Sequence, residues 1–373
     1  MRGWRKLLSG WLTGSNFRKL CRCRLPEVVG LAVLLALAAP AGALEWEWQP
    51  LKNLIDVDSL TVPYYPSSLT PVDMNDRYLV GTYSYYTSGR YITYIWYYDL
   101  LTGETHELDL NGARVSGIAG ESNEIVVSTG SHYNYRGWIY DLESGSQVGD
   151  DLPLVASGNG NYNFGYASWN DIDAAGNAVG QARSGNTYWG LYYNAGDNNG
   201  NGQQYVYNYP GTTKGTHLRR LNENYWAVGY STDNYHTFVV DLATGVLKMD
   251  WDQSDPWSVN AINNDNIVGL SPRGGGQSAA LYDLESNDFL AEDLIFPDIN
   301  GMKYTRIKGL NDNLDFFGSY YYHKGGGYYD TVYYLARRRD DNPSPVPEPS
   351  TVLLLGAGVL LLGLGGVRRR RTG

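Results

Sequence analysis

Cysteine is all but missing. The 373-residue chain has two, Cys21 and Cys23, both near the start and ahead of the segment expected to be cleaved. A mature chain without cysteine excludes disulfide crosslinks, thiol nucleophiles and Cys-ligated metal, so its stability must come from burial. Histidine is scarce as well. His106, His132, His217, His236 and His323 form no H-x-H or H-E-x-x-H pattern, so zinc has no local signature. They read as exposed loop or strand histidines. Phenylalanine (7) and methionine (4) are few, and no long helical periodicity runs between residues 44 and 345. No G-x-S-x-G elbow is present, and Gly274–Gly276 and Gly325–Gly327 lack the Lys-Ser/Thr and helix of a phosphate loop.

What is abundant is tyrosine (33), tryptophan (11) and glycine (45). Tyr and Trp suit half-buried strand surfaces, apolar at one end and wettable at the other. Gly and Asn supply tight turns. The composition predicts an all-β protein of many short strands.

The ends are addresses. Residues 1–27 carry seven basic side chains and one acid, Glu27. An apolar stretch, Val28 to Ala39, and the small residues Ala41-Gly42-Ala43 follow. This is the pattern of a secretory signal peptide spanning 1–43. At the other end a linker (339–349) mixes charges with proline, which predicts an extended, mobile segment. It ends in Pro347-Glu348-Pro349. An apolar run from Thr351 to Val367 and Arg368-Arg369-Arg370-Arg371 complete the chain. Residues 350–373 therefore read as a single short transmembrane helix with a basic stop. This order of elements resembles the PEP-CTERM sorting signal. The resemblance implies an exported bacterial protein that is held transiently in the inner membrane. An exosortase-type protease would process it near Pro347, Glu348 and Pro349, leaving it at the cell surface or outside the cell. A plain C-terminal anchor is the alternative.

Of 29 basic and 39 acidic residues, the first 43 hold seven and one, and the tail from Glu348 holds four and one. That leaves 18 and 37, a net charge of −19 for residues 44–347. Such a chain repels nucleic acid and anionic lipid, and binding to either is not expected.

Residues 44–338 are repetitive. An apolar residue, an Asn/Asp turn, a short apolar strand and usually Gly recur at Met74–Gly81, Ile172–Gly180, Leu221–Gly229, Ile262–Gly269 and Leu310–Gly318, with a degenerate copy at Ile118–Ser128. The closing markers Gly81, Ser128, Gly180, Gly229, Gly269 and Gly318 fall 40 to 52 residues apart. A second element, an aromatic or apolar strand ending in Asp-Leu and a turn, follows at Asp99, Asp141, Asp241 and Asp283. There the Asp is expected to accept backbone N–H groups. Two hairpins per unit of this length predict a β-propeller of about six four-stranded blades. The segment Trp46 to Pro66 is free to supply a strand closing the ring on the last blade, whose own final strand is expected at Thr331–Ala336. Five or seven blades, a pair of β-sandwiches and a β-solenoid are the alternatives. The Ile-Asn-x-x-x-Ile-Val-Gly units followed by Tyr-Asp-Leu strands resemble HAF-type extracellular repeats.

Two candidate sites stand out. Asp197, Asn199 and Asn201, with Gly202 following, match the first half of a calcium loop, although its twelfth position is Asn208 and not Glu. The alternative is a polar turn-rich insertion, with no cofactor. Tyr85, Tyr86, Tyr321 and Tyr322 offer stacking platforms for sugar rings, or fill space between blades. The resemblance to exported proteins of polysaccharide-producing bacteria favours an extracellular polysaccharide or matrix partner. The expected role is structural, adhesive or carbohydrate-binding, without catalysis. A polysaccharide-active hydrolase or lyase is the alternative, and a pair of convergent carboxylates in a central pocket would favour it.

Overall fold

The computed structural model describes residues 44–60, 69–110, 112–129, 136–153, 166–197, 202–212, 215–273, 278–294, 302–325 and 328–339. The expected signal peptide, most of the calcium-type loop, Gly274–Gly276, Gly326, Gly327 and the sorting tail lie outside them.

The short alternating strands pair into six antiparallel four-stranded sheets, one per repeat. Blade one is β2 (Thr70–Met74), β3 (Tyr78–Thr87), β4 (Arg90–Asp99) and β5 (Thr105–Leu108). Blade two is β6 (Arg114–Ile118), β7 (Glu124–Thr129), β8 (Arg136–Asp141) and β9 (Ser146–Leu152). Blade three is β10 (Tyr166–Ile172), β11 (Ala178–Ser184), β12 (Thr187–Asn194) and β13 (Gln203–Tyr207). Blade four is β14 (Thr216–Leu221), β15 (Trp226–Ser231), β16 (Thr237–Asp241) and β17 (Leu247–Trp251). Blade five is β18 (Trp257–Ile262), β19 (Ile267–Pro272), β20 (Ala279–Asp283) and β21 (Asp288–Leu294). Blade six takes β22 (Met302–Leu310), β23 (Phe316–Gly325) and β24 (Tyr328–Arg338) from the C-terminal side and β1 (Trp46–Pro50) from the N-terminal side. β1 pairs with β24 from Trp46↔Arg338 to Pro50↔Tyr334, so the ring closes as the free N-terminal segment suggested. Closure gives every blade a neighbour on both faces and leaves only the short edges of each four-stranded sheet.

Each sheet is apolar on both faces because both faces meet a neighbouring blade. Between blades six and one, Leu79, Trp96 and Tyr98 pack with Phe317 and Leu335. Between blades one and two, Val80 and Ile95 pack with Val115 and Ile125. The Asp-Leu turns behave as expected. Asp99 Oδ1 accepts from Leu101 N at 2.8 Å, Asp241 Oδ1 from Ala243 N at 3.0 Å and Asp283 Oδ1 from Glu285 N at 2.8 Å.

The repeat needs one correction of register. Gly81, Gly180, Gly229 and Gly318 occupy one equivalent place, opposite Pro71, Trp169, Leu218 and Ile307. In blade two that place is held by Val127 and not the marker Ser128; in blade five it is held by Leu270 and not Gly269. In blade five the reason is volume, while in blade two Val127 faces Trp138 and no such exchange occurs. Gly81, Gly229 and Gly318 face Trp96, Phe238 and Tyr334 on the next strand, whereas Leu270 faces Ala280. Large and small residues exchange strands and the core stays filled.

Candidate functional site

The six inner strands, β2, β6, β10, β14, β18 and β22, run from a face of long hairpins and crossover loops to a face of tight Asn/Asp turns. Each carries a β-bulge at the same step. The register slips between Pro71/Asp73, Val115/Gly117, Trp169/Asp171, Leu218/Arg220, Val259/Ala261 and Ile307/Gly309. A bulge inserts one residue and re-aims what it carries. The inserted residues are Val72, Ser116, Asn170, Arg219, Asn260 and Lys308. All six are at least partly exposed while the residue before each is buried. Inner strands are covered on both faces by neighbouring blades, so these side chains meet solvent through the axis. A second tier lies two residues nearer the loop face: Thr70, Arg114, Ser168, His217, Ser258 and Arg306. Ser168 and His217 are buried; the other members of the two tiers, exposed in whole or in part, surround the axis as a funnel of hydroxyls, amides and cations.

No carboxylate sits on these strands in either tier. The four cations Arg114, Arg219, Arg306 and Lys308 have no acidic partner among the described residues. Three rest on tyrosine rings instead: Arg219 on Tyr230 at 4.0 Å, Lys308 on Tyr333 at 4.9 Å and Arg306 on Tyr321 at 5.9 Å. Burial, helped by Arg306 and Arg220, pushes the Lys308 ammonium down to about 8.

Arg220 forms the floor. Its Nη2 donates to Val72 O at 2.5 Å and Lys308 O at 3.5 Å; its Nη1 donates to Arg219 O at 3.3 Å and Ser116 O at 3.4 Å. One guanidinium thus gathers bulge carbonyls from blades one, two, four and six. Asp73 Oδ2 lies 3.6 Å from its Nη1. Beneath it, Asp73 and Asp171 meet side by side. Asp73 accepts from Met74 N at 3.0 Å, and Asp171 Oδ2 accepts from Leu221 N at 2.8 Å. Asp171 Oδ1 finds no donor among the described residues. Burial raises both carboxyls, most strongly Asp171, which also feels the Asp73 charge. Burial and the neighbouring charge favour the protonated form of this pair. Gly117 leaves the room, since a Cβ there would overlap Asp171 Oδ1. A chamber of about 30 Å³, enough for a water or two, separates this pair from the turns.

The turns themselves form two hydrogen-bonded belts. In the first, Asn222 Nδ2 donates to Asn263 O (2.9 Å), Asn263 to Asn311 O (3.1 Å), Asn311 to Asn75 O (3.4 Å) and Asn75 to Ala119 O (2.9 Å). In the second, backbone N–H groups donate to the next blade's side chain: Ala174 to Glu223, Glu223 to Asn264, Asn264 to Asp312 and Asp312 to Asp76. The first belt breaks after blade two because Ala119 and Asp173 replace Asn. The second breaks where Gly120 and Ala174 lack acceptors.

The residues singled out from sequence fall elsewhere. Tyr85 is half-buried in the cleft between blades six and one, its ring 6.1 Å from Tyr94. Strand alternation turns Tyr321 toward the same cleft, beside Arg306 at the funnel mouth. Tyr86 points to the opposite face, 64% exposed and 5.1 Å from Tyr91, itself 73% exposed. The Tyr322 side chain lies outside the described residues. The four do not form one platform. Asp197 Oδ2 accepts from Tyr205 O–H at 2.5 Å; Asn199 and Asn201 lie outside the described residues. Pro347, Glu348 and Pro349 also lie outside them. One histidine departs from expectation. His217 is buried, its ring 4.2 Å from that of Tyr230, with Nδ1 bonded to Gln181 and Nε2 without a partner among the described residues. Burial and Arg219 push it down to about 4. The bulges and the axial cations left no sequence signal, because each blade contributes only one or two of them.

Fold and tail together define a class: a six-bladed β-propeller ending in a sorting signal. Residues 345–371 match the PEP-CTERM protein-sorting motif, which marks an exported protein that is sorted at the membrane. No curated protein matches the chain in sequence. Among solved structures it is similar to TolB from Acinetobacter baumannii (12% identity, TM-score 0.41, 65% of this chain and 59% of that one). It is also similar to the β-propeller domain of Myceliophthora thermophila Cps50 (Swd1) (11%, TM-score 0.41, 72% and 96%). A third is the β-propeller domain of the Trilobed protease from Pyrococcus furiosus (8%, TM-score 0.41, 68% and 78%).

Proposed function

We propose that this is an exported cell-envelope or matrix protein whose propeller binds carbohydrate without transforming it, and that an exosortase-type protease processes its tail. The axial funnel carries the reading. Hydroxyls and amides from four of the six blades, among them Ser116, Asn170 and Asn260, converge on one opening rimmed by tyrosines. That is the mixture a sugar ring needs: flat apolar faces beside hydrogen-bonding groups.

The hydrolase alternative rests on paired carboxylates, and Asp73 and Asp171 are such a pair. Their geometry argues for structure instead. Glycosidase carboxylates stand about 5–9.5 Å apart, with a sugar between them. These two touch, are almost fully buried and sit beneath the Arg220 floor. The decisive experiment is retention of the exported protein on its host's exopolysaccharide, with sugar release assayed alongside. Retention without release supports the proposal. Release of reducing ends or unsaturated sugars would replace it with the enzyme.

A further inference from the structure

The funnel's charge is opposite to that of the protein around it. Residues 44–347 carry −19, yet the two tiers of inner-strand side chains hold four cations and no acid. In a scattered distribution, acids outnumbering bases two to one would reach these strands too. Asp73 and Asp171 are the acids that do, and both lie beneath Arg220, away from the funnel.

The cations are also held ready. Arg219, Lys308 and Arg306 each lie on a tyrosine face, which fixes the side chain and leaves its N–H donors unspent among the described residues. Lys308 keeps its place despite burial and two neighbouring guanidinium groups. A protein gains nothing in stability from gathering unpaired cations in a concave opening. An anion entering from the loop face would relieve that repulsion, and low-dielectric walls would strengthen the attraction. Arg220 closes the far side, so the ligand enters and leaves by one mouth.

Building on the carbohydrate reading, we infer that the funnel binds an acidic glycan, with carboxylate or sulfate groups among Arg114, Arg219, Arg306 and Lys308. Sugar hydroxyls then meet Ser116, Asn170, Ser258 and Asn260. The acidic outer surface repels polyanions that do not reach the funnel, which makes the contact selective for a chain end or a protruding branch.

The test is calorimetric titration of the intact exported protein with polygalacturonate, dextran sulfate, neutral dextran, poly-L-glutamate and inorganic phosphate. Binding of either acidic glycan at least tenfold tighter than neutral dextran, and weakening with salt, is the expected result. Arg219→Gln with Lys308→Gln should weaken it at least tenfold at an unchanged melting temperature, and Lys308→Arg should restore most of the loss. If the double variant melts early, Arg114→Gln with Arg306→Gln, on the exposed upper tier, gives the same reading. Equal affinity for dextran would overturn the acidic ligand and leave carbohydrate binding standing. Equal affinity for poly-L-glutamate or phosphate would show a site for charge alone and overturn the glycan. Retention on the host polysaccharide that both double variants leave intact would overturn the funnel as the site. Absence of retention and of all binding would overturn both readings.

Discussion

Asn263 donates its side-chain amide to the carbonyl of Asn311, 3.1 Å away, and Asn311 holds in blade six the place that Asn263 holds in blade five. The same side chain accepts from Ile267 N at 2.9 Å within its own turn. One residue type therefore shapes the blade and fastens it to the next. Asn263 is 3% exposed, so replacing it with Ala leaves the buried Ile267 N–H unpaired and takes one of two donors from the Asn311 carbonyl, which keeps Leu314 N. We expect Asn263→Ala to cost about 1–3 kcal/mol. Asp265→Ala, in the same turn but exposed, should stay within about 0.5 kcal/mol. Urea midpoints at constant slope check both; equal effects would mean that the belt carries no stability.

The two glycines of neighbouring repeats should differ. A Cβ at Gly229 would overlap the Phe238 ring and stand 2.7 Å from His217 O, a backbone atom fixed by the bulge. At Gly269 the nearest atom is Ile307 Cγ2 at 2.5 Å, a methyl on a buried β-branched side chain, with no backbone atom among its three nearest neighbours. Gly229→Ala should cost about 3 kcal/mol and Gly269→Ala about 2 kcal/mol. Thermal melts decide, and a reversed order would contradict the register correction in blade five.

The ring was legible because its signal is local. Each Asn/Asp turn, each Asp-Leu hairpin and the sorting tail is a contiguous run of residues. Even the closing strand could be inferred from what was left over at Trp46. The site was not legible for the converse reason. Arg219 and Lys308 are 89 positions apart, and nothing in either blade says that both face one axis. The same holds for Asp73 and Asp171. A turn Asn in one repeat looks like turn chemistry alone; its reach into the next blade appears only when the blades stand side by side. Tyrosine clusters attracted notice as runs, yet alternation sends Tyr85 and Tyr86 to opposite faces. The four cations, spread over three strands of three blades, did not.

His217 should make the protein sensitive to acid. Its folded-state pKa is about 4, against 6.5 for a free imidazole. Between those values the unfolded chain binds a proton that the folded one refuses. Its contribution to stability is therefore fully present above pH 6.5 and is lost as pH falls toward 4. His217→Gln keeps a polar group near Gln181 and removes the titration. Its melting temperature should fall less than that of the unaltered protein between pH 6.5 and pH 4. Parallel curves would place the acid sensitivity elsewhere.

The ends of the exported chain follow from the sorting motif at residues 345–371. Intact-mass measurement of material recovered outside the inner membrane should give a start near Leu44 and an end near Pro347-Glu348-Pro349. Retention of Arg368 to Arg371 on that material would leave a plain anchor in place of processing.

The two axial aspartates should respond unequally to the same change. Asp171 accepts from Leu221 N with one oxygen, and burial and the Asp73 charge favour its protonated form. Because the folded pair keeps a proton that the unfolded chain releases above its ordinary pKa of 3.8, its contribution weakens as pH rises past that value. Asparagine at 171 supplies the N–H permanently and still accepts from Leu221. Asp171→Asn should thus match the unaltered protein near pH 4 and exceed its stability near pH 8. Asp73 is different, because its Oδ2 faces the Arg220 guanidinium at 3.6 Å. Asp73→Asn takes away that buried cation's only carboxylate among the described residues, which costs about 3 kcal/mol or more. It should lower the melting temperature at every pH. Melts of both variants from pH 4 to pH 8 test the assignment; if Asp171→Asn is the more damaging at pH 8, the proton is misplaced and Asp171, not Asp73, is the ionised partner of Arg220.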